Sequence, residues 1–170
     1  MTTTLQQKTY ADTANAITFK DSGGSAVFTL QNLAYGSGRV SAQYDRGTGA
    51  KPCLYEVLAV MQWEDNPAAA DAARVSVVDH DGTLIPGTLG TADAAVTVEA
   101  KLTQGNNYQT TVLAEAATGS TNRIAKGYVW LHHRYVSVAV WNGSATKNLK
   151  NSANVSYVRL TPIVEVVTDA

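Results

Sequence analysis

The sequence has little cysteine, little charge and no long apolar run, and each shortage excludes a class of protein. Its 170 residues include one cysteine, Cys53, so no internal disulfide can form. Charged residues make up only 16%, and 13 Lys+Arg against 14 Asp+Glu leave no excess of cations for nucleic acid. No apolar stretch reaches the roughly 20 residues of a membrane helix, and the first residues lack the basic flank and apolar segment of a secretory signal. We therefore expect neither a nucleic-acid partner nor a membrane.

Motifs that carry catalytic or metal chemistry are also scarce. His132 and His133 are neighbours, and neighbouring strand residues point to opposite faces, so the two side chains cannot easily bind one metal ion. We interpret the pair as part of a turn between two strands. The run Asp79-His80-Asp81-Gly82 begins like a calcium loop, but its twelfth position is Gly90 instead of glutamate. It predicts a hairpin turn with glycine at positive φ, with a weak calcium site as the alternative. Cys53 begins an apolar run and is predicted to be a buried, unreactive thiol. We expect no enzyme, no metal and no cofactor.

Strand-forming residues alternate with turn residues along most of the chain. The longest apolar run, Cys53 to Trp63, is apolar on both faces, which predicts a central strand or one in a subunit interface. Asp21 to Gly24 predicts a tight turn between two strands. The core or interface candidates on the longest run are Tyr55, Val57, Met61 and Trp63.

The spacing of these elements predicts an all-β fold. Eight to ten short strands with frequent turn signals favour a jelly-roll-like β-sandwich or barrel, with an immunoglobulin-like sandwich second. Residues 1–15 are polar without an apolar period, which indicates an extended N-terminal arm or a disordered tail. Residues 16–170 are then a single β-sandwich domain.

The aromatic residues allow two interpretations. Packing in a core or interface is the commoner role of such side chains. A solvent-facing row would instead suit stacking on sugars. The residues concerned, all in or beside predicted strands, are Tyr44, Tyr55, Trp63, Tyr128, Trp130, Tyr135, Trp141 and Tyr157.

Three segments resemble structural proteins of tailed bacteriophages, of the capsid decoration or cement type. Phe28 to Ser41 is similar to their opening turn and strand, and Arg134 to Asn142 and Val158 to Ile163 are similar to their closing strands. The resemblance implies a virion protein, made in the host cytoplasm, that sits on the outer capsid surface. It also implies a homotrimer that stabilises the head by bridging neighbouring major capsid protein subunits, often with an N-terminal arm. It implies no catalytic residues.

On this interpretation the N-terminal arm makes the capsid contact. The candidate contact residues are Thr2, Thr3, Thr4, Leu5, Gln6, Lys8 and Tyr10. Two alternatives stay open at this point: a carbohydrate-binding or receptor-binding module, and a minor tail or baseplate subunit.

Overall fold

The computed structural model describes residues 5–65, 67–68, 71–83, 89–102, 108–113 and 121–169. This part of the chain forms twelve strands and two short 3-10 turns, Thr13–Asn15 and Glu99–Leu102. The strands are β1 (Leu5–Ala11), β2 (Ile17–Lys20), β3 (Ala26–Val27), β4 (Ser37–Val40), β5 (Tyr44–Asp45), β6 (Leu54–Met61), β7 (Ala72–His80), β8 (Ala94–Val96), β9 (Tyr108–Leu113), β10 (Arg123–Trp130), β11 (Tyr135–Asn142) and β12 (Tyr157–Asp169). Within the same residues, no helix has the length and hydropathy to span a bilayer.

The strands form two sheets that pack face to face. The first sheet has the order β10-β6-β12-β2-β3, with β1 also on β12, and the second has the order β8-β4-β11-β7-β9, with β5 also on β11. Eight strands form the frame, as β10-β6-β12-β2 and β4-β11-β7-β9, and their neighbours are all antiparallel. This is the double-sheet arrangement of a jelly roll. The predicted all-β sandwich is confirmed.

Strand β6 lies at the centre of the first sheet, between β10 and β12. Its inward residues Tyr55, Val57 and Met61, together with Trp63 just beyond it, are buried in the core between the sheets. Leu58 and Val60 point to the other face and are also buried. Because each such side chain contributes roughly 1.5–3 kcal/mol on burial, a strand apolar on both faces belongs at this position.

The second sheet has its outer face covered by the chain itself. Val78 and Ala139 on that face pack against Leu102 in a small second cluster, which also includes Leu89 and Val96. The segment that supplies this cover runs from residue 89 to residue 102 and contains β8 and a 3-10 turn. The described chain supplies no such cluster on the outer face of the first sheet.

The chain turns at Asp21 to Gly24 as predicted, with Gly23 at a φ of 65°, but this turn closes no antiparallel hairpin. Strands β2 and β3 pair in parallel, with Phe19 opposite Ala26. The Asp21 carboxylate explains the difference, because one oxygen accepts the N–H groups of Leu30 and Gln31, at 2.9 and 2.8 Å. Its other oxygen accepts the N–H of Asn154 at 2.7 Å. The aspartate therefore fixes the chain that follows β3 rather than closing a hairpin.

Candidate functional site

The two ends of the described chain form a two-stranded ribbon. Strand β1 pairs antiparallel with β12 over its whole length, from Leu5 opposite Asp169 to Ala11 opposite Ile163. Beyond Pro162, β12 pairs with β1 alone in the part of the chain that is described. We call Leu5–Ala11 together with residues 163–169 the terminal ribbon. It leaves the sandwich where the N–H of Asp12 donates to the carbonyl of Pro162 at 2.8 Å.

The terminal ribbon is exposed and partly apolar. Tyr10 is 52% exposed and Val166 is 37% exposed. Tyr10 lies opposite Val164, and Lys8 lies opposite Val166. Side chains of opposed residues share one face, so these four form a mostly apolar face with one cation. Such a face is open to a partner.

Four of the seven predicted capsid-contact residues lie on this ribbon. Thr2, Thr3 and Thr4 lie outside the described residues. Leu5, Gln6, Lys8 and Tyr10 are on β1, and the last two are exposed. The sequence indicates an arm or a tail here, and the structure forms a paired strand over Leu5–Ala11. Residues 8–11 of the strand are exposed on both faces, so this part of it has no alternating apolar signal.

A buried arginine joins two loops at one end of the sandwich. Arg46 is 7% exposed, and its guanidinium lies 5.2 Å from the ring centre of Tyr55. Its Nη1 donates to the carbonyl of His133 at 2.6 Å, and its Nη2 donates to the carbonyl of Pro52 at 2.5 Å. Because both acceptors are backbone carbonyls, the arginine fixes the chain rather than a ligand. No local pattern in the sequence marks this role.

A second buried charge, Asp79, holds the neighbouring turn. Its side chain is 0% exposed and accepts the N–H of His132 at 2.6 Å and that of His133 at 3.0 Å. The Nδ1 of His133 donates to the same carboxylate at 3.0 Å. The histidine pair therefore sits in a turn, as the sequence predicts. No group of three or more potential metal ligands occurs among the residues that the structure describes.

The predicted turn after Asp79 is present, but it closes no hairpin. Gly82 has φ of 93°, and Asp81 accepts the N–H of Thr83 at 2.7 Å. The next strand, β8, pairs with β4, whereas β7 pairs with β9 and β11. His80 accepts the N–H of Gly82 at Nδ1, 3.1 Å away, so its Nε2 carries the proton and donates to Ser137. Burial lowers the pKa of His80, which keeps the ring neutral.

The thiol of Cys53 is exposed, so the prediction of a buried thiol is wrong. The residue precedes β6 at the open end of the sandwich, where its carbonyl accepts the N–H of Leu131 at 2.7 Å. Its Sγ lies 3.7 Å from the carbonyl oxygen of Lys51, beside a cleft of about 540 Å³. Its neighbours Tyr55 and Leu131 both belong to the core, so an inward position in the alternation beside core residues is not enough for burial.

The three tryptophans occupy three different environments. Trp63 is buried in the main core, and its Nε1 donates to the side-chain oxygen of Asn142 at 3.1 Å. Trp141 is half-buried against the small cluster on the second sheet. Trp130 is 58% exposed on β10, and Tyr128 on the same strand is 63% exposed. One part of the aromatic set therefore packs the core, and another faces solvent.

Comparison with known proteins supplies no further assignment. No protein-family model, no curated protein and no solved structure matches the chain.

Proposed function

We propose that the protein is a non-catalytic structural subunit of a bacteriophage virion, a capsid cement protein that bridges neighbouring major capsid subunits. The terminal ribbon carries this proposal. One of its faces carries the exposed side chains of Tyr10 and Val166, with Val164 beside them, and its strand β1 lies in the segment that the sequence indicates as a contact arm. Exposed apolar side chains beside polar ones are typical of protein interaction sites.

The backbone of the ribbon offers a second means of attachment. Strand β1 has one neighbouring strand in the described chain, which is β12. An unpaired strand edge can accept an extended segment of a partner, and main-chain hydrogen bonds then supply affinity. A capsid subunit with an extended loop or arm is a partner of this kind.

The mechanism would be non-covalent stabilisation of the assembled shell. A protein that binds only the assembled lattice stabilises it by mass action, in proportion to the logarithm of its free concentration over Kd. A homotrimer would multiply weak single contacts through effective concentration. The jelly-roll frame is compatible with this role, since viral capsid proteins and lectins use it, although a fold alone does not define a function.

The direct test is co-sedimentation with capsids of the virus that carries this protein, prepared without it. The double variant Tyr10→Ala/Val166→Ser removes two exposed apolar side chains from the ribbon. We expect at least tenfold weaker binding, because truncation of central interface residues typically costs more than about 1 kcal/mol each. The matched control is Tyr35→Ala, which removes an equally exposed tyrosine, 54% exposed, from outside the ribbon.

Equal capsid occupancy for the double variant and the control would contradict the role of the ribbon. Absence of binding by the wild-type protein would contradict the cement function itself. Light scattering behind a sizing column gives the oligomeric state, and a trimer of the 18.0 kDa chain is the expected result.

A further inference from the structure

The outer face of the first sheet carries a row of exposed aromatic and apolar side chains. Ile124, Lys126, Tyr128 and Trp130 alternate along β10, and all four point away from the core. Ile124 is 57% exposed, Tyr128 63% and Trp130 58%. Successive positions on one face of a strand are about 7 Å apart, so the two aromatic rings are neighbours.

The neighbouring strands add polar and charged groups beside this row. Tyr128 lies opposite Glu56 on β6, which in turn lies opposite Thr161 on β12. Lys126 lies opposite Leu58, which lies opposite Arg159. Opposed residues share a face of the sheet, so Glu56 lies beside the aromatic pair, and Lys126 and Arg159 lie further along the same face. We call Ile124, Lys126, Tyr128, Trp130, Glu56 and Arg159 the outer aromatic face.

The charges on this side of the sheet are mostly positive, and the described part of the chain supplies no ion-pair partner for them. Lys126, Arg159 and Lys20 on β2 stand against one carboxylate, Glu56. The side chains of these four residues form no ion pair or hydrogen bond within the part of the chain described. The guanidinium Nε of Arg159 is buried, and no atom in the described part of the chain accepts a hydrogen bond from it. The face therefore offers several free donors and a net positive charge.

On the outer face of the second sheet, the chain itself covers the apolar side chains. There, residues 89–102 pack over Val78 and Ala139. The first sheet keeps its aromatic pair in solvent instead. The pair has Lys126 and Glu56 as neighbours, and lysine and glutamate are depleted from the core of protein–protein interfaces. A narrow aromatic row between unpaired charged groups fits a polar polymer better than a second protein surface.

We propose that the outer aromatic face binds a polysaccharide that carries carboxylate groups. The rings of Tyr128 and Trp130 would stack on the apolar faces of sugar rings, while Lys126 and Arg159 would bind the carboxylates. Glu56 would accept hydrogen bonds from sugar hydroxyls. This function goes beyond capsid binding, and its two aromatic residues lie on β10, which is no part of the terminal ribbon.

The test measures binding of the intact protein to immobilised alginate and hyaluronan, with dextran as the uncharged polymer. We expect alginate or hyaluronan to bind and Trp130→Ala to weaken binding at least tenfold. Lys126→Gln should weaken it several-fold and reduce its dependence on salt. Tyr35→Ala is the matched control, since Tyr35 is 54% exposed and lies on no strand of this face, and it should bind as the wild type does. The replaced side chains are exposed, and urea unfolding of each variant establishes that it is folded.

Several results would overturn the proposal. Wild-type protein that binds neither alginate nor hyaluronan would do so, as would equal binding by Trp130→Ala. Dextran binding as tight as alginate binding would exclude the acidic ligand. Tighter binding to a single-stranded oligonucleotide would assign the face to nucleic acid. A self-associated state that Trp130→Ala dissociates would assign the face to a second copy of the chain.

Discussion

Strand β12 has two halves that share an extended backbone but differ in their neighbouring strands and in the burial of their side chains. From Tyr157 to Pro162 it lies between β6 and β2, with Val158 and Leu160 fully buried. Beyond Pro162 it pairs only with β1 among the described strands, and Glu165 and Val166 are exposed. The first half belongs to the core of the sandwich, and the second half belongs to the terminal ribbon.

The comparison indicates how one strand can serve both stability and contact. Apolar burial stabilises a fold in proportion to the area removed from water, and the first half of β12 supplies such burial. The second half supplies hydrogen bonds to β1, but the side chains of residues 163–166 are not buried, so substitutions at these positions should change stability little. Surface that contributes little to folding is free to evolve for binding.

The largest expected effect comes from matched truncations in the two halves. Leu160→Ala should lower the free energy of unfolding by about 2–5 kcal/mol, because it leaves a cavity between the sheets. Val166→Ala in the ribbon should change it by less than about 0.5 kcal/mol. Urea unfolding of both variants measures the two values, and equal losses would contradict the division of β12.

A smaller loss is expected from a polar contact inside the sandwich. Asp79→Asn should cost about 2–3 kcal/mol, because an amide N–H₂ would replace an oxygen that accepts the N–H groups of His132 and His133. Asp81→Asn is the control, since it changes the same type of side chain in the exposed part of the turn. A Tm for Asp79→Asn equal to that of the control would contradict the role given to this carboxylate.

A pH dependence is expected from the partly buried carboxyl of Asp93. Burial alone would raise its pKa, but hydrogen bonds from Arg39 and Thr29 outweigh burial and lower it. Because its pKa is lower in the folded state, the ionised carboxyl stabilises the protein above the unfolded-state pKa of about 4. This stabilisation is lost as the pH falls through the folded-state pKa. Asp93→Asn should therefore cost about 2 kcal/mol at pH 7. The difference from the wild type should shrink below about pH 4, and a constant difference down to pH 2 would exclude this linkage.

The smallest effect on stability is expected at an exposed ion pair. Arg134 donates to Asp45 from Nε at 2.7 Å and from Nη2 at 2.5 Å, but the two side chains are 46% and 42% exposed. The arginine hydrogen bond is the main cause that lowers the pKa of Asp45 to about 2. Arg134→Gln should raise this pKa in an NMR titration while the urea midpoint stays unchanged, because solvent screens exposed pairs. A marked loss of stability would contradict the expectation that an ion pair this exposed contributes little to the free energy of unfolding.

The sequence predicts the sandwich better than its polar contacts. The run from Leu54 to Met61 is apolar on both faces, so its central position could be predicted from the pattern alone. The strand β1 could not be predicted this way, since its residues 8–11 are exposed on both faces and therefore show no apolar alternation. The same limit applies to the charged groups. Asp79 and His133 are 54 residues apart in the chain, and Arg46 and His133 are 87 apart, so no local spacing links them.

The aromatic residues show the same limit at the candidate sites. Trp63 and Trp130 both end apolar strand segments, and only the sheet order shows that one faces the core and the other faces solvent. The sequence supports both a packing role and a sugar-stacking role for this set. The structure separates the members by face, which no composition could do.

Hydrogen exchange along β12, measured by NMR on the free and the capsid-bound protein, tests the division of this strand most directly. In the free protein, the amides of Val158–Leu160 should exchange only on global unfolding, and those of residues 164–167 should exchange at least about 100-fold faster. Capsid binding should slow exchange in the second group alone. Uniform protection along the free strand, or unchanged exchange in the ribbon on the capsid, would contradict the account.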